Sequence, residues 1–85
     1  MKLPIIKHLT KFVEEKDEEY LRKTVETLEA IAEAPRLKDA ELDVIGELLS
    51  NLYGAIEVQK EIQSGKSRTE ALNGFMKRVM SSIDQ

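Results

Sequence analysis

Apolar positions along the chain recur at spacings of three and four and never alternate over a sustained run, so the pattern predicts helices and no strands. Ile5, Ile6, Leu9, Phe12 and Val13 share one face of a first helix over about residues 4–15. Pro4 suits its first position, where the missing N–H would have no partner anyway. Six consecutive charged residues, Glu14 to Glu19, then interrupt the stripe. Asp17 has the side chain of an N-cap, and Glu18 and Glu19 favour the positive end of a new helix. That second helix covers about 17–33, with Tyr20, Leu21, Thr24, Val25, Leu28, Ile31 and Ala32 on its buried side. Pro35 ends it, because the residue before a proline is pushed out of helical geometry. Asp39 opens a third helix over about 39–64, with Leu37 placed to pack over Leu42, and Gly65 is suited to the left-handed turn that closes it. Ser67 and Glu70 form a capping-box pair before a fourth helix over about 68–83, whose apolar face is Ala71, Leu72, Phe75, Met76, Val79, Met80 and Ile83.

The third helix is the longest, roughly 38 Å against about 18–25 Å for the others at 1.5 Å per residue. Leu42, Ile45, Leu48, Leu49, Leu52, Ala55 and Ile56 form its stripe, which Val44, Val58, Ile62 and Tyr53 widen. The stripe then covers about 220° of the circumference, where a surface helix needs little more than 100°. The expected fold is therefore an all-α, four-helix domain with the third helix at its centre. On the remaining side lies the row Gly46, Ser50, Gly54, beside Tyr53. Each glycine inside a helix costs roughly 1 kcal/mol relative to alanine. A row of small residues lets another backbone approach closely. These four positions are the candidate helix-contact or interface residues, within the chain or between two chains. Asp43, Glu47, Glu57 and Glu61 flank the row and call for basic partners.

With 85 residues the chain forms one domain, residues 1–85. A folded protein of 9.7 kDa exposes about 5,100 Å². The absence of cysteine removes disulfides and thiol chemistry and fits a reducing compartment. Lys7, His8 and Lys11 break up the apolar start that a signal peptide would need. No apolar run approaches the roughly 18 residues of a membrane span. A cytoplasmic protein without membrane contact is expected. The net charge of −3 argues against nucleic acid as a partner. Its distribution is uneven: residues 1–16 carry +2, 17–34 carry −4, 35–59 carry −3 and 60–85 carry +2. Oppositely charged helices lying side by side account for that alternation.

Candidate chemistry changes this picture little. His8 is the only histidine and has no second His or Cys to share a metal. The acidic pairs Asp43–Glu47 and Glu57–Glu61 lack the Glu-x-x-His of helix-borne carboxylate metal sites and read as solvated faces. Gly65-Lys66-Ser67 resembles the end of a phosphate loop, yet Lys60 stands where the first glycine belongs. No catalytic, cofactor-binding or metal residue is assigned, and an enzyme is not expected. Lys66, Arg68, Lys77 and Arg78, with Lys60, form a basic patch that supports the alternative of a nucleic-acid-binding regulator. That alternative lacks stacking aromatics, and the fourth helix offers a groove little beyond Asn73, Lys77 and Arg78.

Three segments, MKLPIIKHL, LKDAELDVIGELLSNLYGAIEV and EALNGFMKRVMSSID, resemble a small family of uncharacterised bacterial proteins of similar length, a Bacteroidetes-type domain of unknown function. The resemblance spans nearly the whole chain, including the glycines of the third helix. It implies no activity, so it assigns no functional residue. The leading expectation is a non-catalytic module that binds itself, as a homo-oligomer, or another protein, with no cofactor.

Overall fold

The computed structural model describes residues 2–83, and the side chains of residues 2–79. It has four helices: α1 (Leu3–Glu15), α2 (Glu18–Ala32), α3 (Asp39–Gln63) and α4 (Arg68–Ile83). Local chemistry sets the boundaries. Asp17 Oδ1 accepts the Tyr20 N–H at 2.7 Å and separates α2 from α1. Glu70 donates its N–H to Ser67 Oγ, and Ser67 N–H reaches back to Glu70 Oε1, which closes the predicted capping box. Gly65 adopts φ +115° just past α3, the region glycine enters without penalty. At the start of α3 the cap residue is Lys38, and Asp39 lies in the first turn. There Glu41 Oε1 accepts the Lys38 N–H at 2.9 Å.

All three shorter helices pack on α3. Helix α1 runs parallel to it: Lys2 N–H donates to Asn51 Oδ1 at the near end, and Arg68, at the start of α4, pairs with Glu14 at the far end. Helices α2 and α4 run the opposite way. Two apolar clusters result. One joins Val13, Leu21, Val25, Leu52, Ala55 and Ile56 from α1, α2 and α3; the other joins Ile6, Val58, Ala71, Leu72 and Phe75 from α1, α3 and α4.

The third helix is central, as expected, and the cover on its wide apolar stripe reaches only part of its length. Only the second half of α3 is enclosed: every buried α3 residue lies between Asn51 and Gln59. Leu42, Val44, Leu48 and Tyr53 remain exposed, as do Tyr20 and Ile31 of α2. The reason is geometric. Helix α1, with 13 residues, starts beside Asn51 and leaves the first three turns of the 25-residue α3 with α2 as a neighbour. The molecule is correspondingly flat, 43 × 34 × 17 Å, with a radius of gyration of 13.8 Å. A compact 85-residue chain would have about 12 Å. The predicted apolar positions Met80 and Ile83 have side chains outside the described set.

Candidate functional site

Along α3, residues 44, 48, 51, 55, 58 and 62 repeat at alternating spacings of four and three, the pattern of a helix-packing seam. Helix α1 lies over the middle of that seam. Asn51 is 3% exposed there, and Ala55 and Val58 are fully buried. Val44 and Leu48, on the same line, are 60% and 47% exposed. The uncovered turns border the end of α2 and the loop after it. Ile31, Leu37, Ala40, Glu41, Val44 and Ile45 line an open groove of about 520 Å³. Its one charged member, Glu41, already holds the Lys38 N–H, so its carboxylate has a partner if the groove is covered. Leu37, expected to pack over Leu42, lines this groove.

The glycine–serine row divides in two. A Cβ on Gly54 would stand 2.8 Å from Ile6 Cδ1 and 3.1 Å from Phe75 Cζ, so α1 and α4 both approach α3 closely at Gly54. A Cβ on Gly46 would meet nothing within 4 Å. Between them, Ser50 and Tyr53 line a shallow groove of about 460 Å³ with Leu49, Glu57 and Phe75. Tyr53 donates its hydroxyl to Glu29 Oε2 of α2 at 2.9 Å. The Glu29 carboxylate holds the Tyr53 pKa above its ordinary value, through that hydrogen bond first, then desolvation and like charge.

The basic candidates are largely taken up inside the chain. Lys66 Nζ lies 2.6 Å from Glu61 Oε2, and Arg68 pairs with Glu14. Arg78 reaches Glu57 at 3.5 Å and Glu61 at 3.7 Å. Lys77 is exposed on α4. The bond to Lys66 and its charge, with the charge of Arg78, hold the Glu61 pKa below the usual carboxylate value. Two of the four acids flanking the row, Glu57 and Glu61, thus meet cations from α4 and the turn before it. Among the described residues no group of three or more His, Cys, Asp or Glu is placed to hold a metal ion, and His8 is exposed. No helix among them is long and apolar enough to cross a membrane.

The sequence pattern places Val44 and Leu48 in the wide apolar stripe of α3 and does not say which of its turns are covered. The signal that could have separated them is length: a 13-residue helix cannot cover a seam on a 25-residue one.

The chain belongs to a family of unknown function (DUF6952), whose family model matches residues 1–84. Neither the curated proteins nor the solved structures give a match.

Proposed function

We propose that this member of a family of unknown function is a non-catalytic protein–protein interaction module. Its working surface is the uncovered seam of α3 with the adjoining end of α2. One observation carries the reading: a single helical stripe is sealed at Asn51, Ala55 and Val58, yet exposed at Val44 and Leu48. Apolar side chains clustered on a surface mark contact sites more than scattered ones do. Ile31, Leu37, Ala40 and Ile45 make this cluster contiguous. A bacterial, cytoplasmic setting belongs to the same proposal and rests on the resemblance of the three segments and on the lack of cysteine. The basic residues do not favour a nucleic-acid role, since Lys66, Arg68 and Arg78 are engaged with Glu61, Glu14 and Glu57.

The test is photo-crosslinking in living cells. A photoreactive amino acid at Val44 should give discrete covalent protein adducts, and the same group at Lys23, exposed on the far side of α2, should not. Equal adducts at both sites, or none at Val44, defeats the reading.

A further inference from the structure

We infer that the occupant of the open seam is a second copy of this chain, seated across a two-fold axis so that the first half of α3 packs against its own counterpart. The inference rests on the interaction-module reading and names its partner. Three observations on area, shape and periodicity carry it.

The chain exposes 6033 Å², about 900 Å² more than the roughly 5,100 Å² expected for a folded monomer of its mass. A standard protein–protein interface takes about 800 Å² from each partner. The surplus therefore matches one side of one interface. The second observation is thickness. At 43 × 34 × 17 Å the molecule is flat and not round, so its surface is large for its mass and one broad face is available to a second copy. The third is the seam itself. Its four-three spacing continues from the part that α1 occupies into the open part without change, so the open turns are shaped for a helix. A two-fold contact supplies such a helix from the same surface. It sets Val44 and Leu48 of each copy against Val44 and Leu48 of the other, and Ala40 leaves room for the backbones to approach. Ile31 and Leu37 close the sides from α2 and the loop. Gly46 lies on a different face of α3 from Val44 and Leu48, so the open side of the small-residue row is not part of this contact.

Mass measurement in solution, by sedimentation equilibrium from micromolar to hundreds of micromolar protein, gives the first readout. The natural chain should show twice 9.7 kDa. Val44→Asp and Leu48→Asp should each show 9.7 kDa with an unchanged helical circular dichroism spectrum, since both side chains face outward. The lack of any native cysteine makes a second readout clean. Single cysteines at Ala40, Val44 and Leu48 (Ala40→Cys, Val44→Cys, Leu48→Cys) sample the axis, and at least one should oxidise to a covalent dimer while Lys23→Cys does not. A natural chain that stays at 9.7 kDa overturns the inference. So does a dimer that survives both aspartate variants with no crosslink at the three sites, because that dimer uses another face. If the purified chain is monomeric and the Val44 photo-adduct contains a different protein, the second copy is wrong and the interaction module stands.

Discussion

Two glycines that look alike in the sequence should respond in opposite directions to the same substitution. Gly46 and Gly54 both sit inside α3, eight residues apart, and alanine at either removes the entropic penalty of glycine. That gain is about 0.8–1 kcal/mol in a helix interior. At Gly46 nothing opposes it, because the added methyl meets open space. Gly46→Ala should stabilise the fold by nearly the whole amount. At Gly54 the methyl would sit 2.8 Å from Ile6 Cδ1, 3.2 Å from Ile6 Cγ1 and 3.1 Å from Phe75 Cζ. Ile6 is fully buried and belongs to the cluster with Val58, Ala71, Leu72 and Phe75, so it has no solvent side to swing into. Inserting a methylene-sized group into a packed core costs about 1–3 kcal/mol. Set against the propensity gain, Gly54→Ala should destabilise by about 1 kcal/mol. For a domain of this size that lowers the melting temperature by roughly 4–8 °C. Urea denaturation followed by circular dichroism, at one protein concentration, measures both variants on the same scale. Equal stabilisation by the two substitutions would show that α1 and α4 do not close on α3 at Gly54.

Three further outcomes follow from single groups. Gln59 is buried with its Oε1 lacking any hydrogen-bond partner among the described residues. Gln59→Met keeps the length and removes the orphaned acceptor, so it should raise stability by about 1 kcal/mol in the same denaturation assay. Tyr53 has a raised pKa in the folded chain, so its bond to Glu29 contributes below the ordinary tyrosine pKa and is lost as pH rises through the raised value. Ultraviolet titration should show one tyrosine ionising late, and Tyr53→Phe should remove that step. Glu61 has a lowered pKa, so its contribution is present above the ordinary carboxylate pKa and fades as pH falls through the folded value. Glu61→Gln should flatten the acid side of the stability–pH profile, and an unchanged slope would mean that Lys66 and Arg78 do not hold the carboxylate in solution.

Features that depend on a few neighbouring residues were legible in the chain itself. The Asp17 cap, the Ser67–Glu70 box and the left-handed Gly65 each need only a side chain and a backbone group within three or four positions. The apolar stripes were legible as well, because helical period fixes which residues share a face. What the period could not fix is how far along a stripe the cover extends. Leu42, Val44 and Leu48 carry the same signal as Leu52 and Ile56, and only the docking point of α1 separates exposed from buried. The same holds for Gly46 against Gly54, which differ in tertiary neighbours and not in local pattern. Arg36, at φ +66° in the loop after Pro35, gave no sequence signal, since a non-glycine residue there is set by how α2 and α3 must be joined.

Asn51 explains why the seam is divided where it is. It stands at a packing position between Leu48 and Ala55, where an apolar residue would let α1 settle at more than one height. Its side chain is committed at both ends: Oδ1 accepts the Lys2 N–H at 2.9 Å, and Nδ2 donates to the Glu47 carbonyl at 3.0 Å. A buried amide in an otherwise apolar seam fixes register, because sliding α1 by one turn would take Lys2 away and leave the Asn51 Oδ1 acceptor unpaired in a dry site. Helix α1 is thereby held with its first turn at Asn51 and cannot shift toward Leu48 to cover it. The open turns at Val44 and Leu48 are thus tied to a specific polar contact and are not a loose end of the packing. A sequence in which Asn51 were apolar would give the same four helices, and it would lose the contact that keeps α1 from covering Leu48.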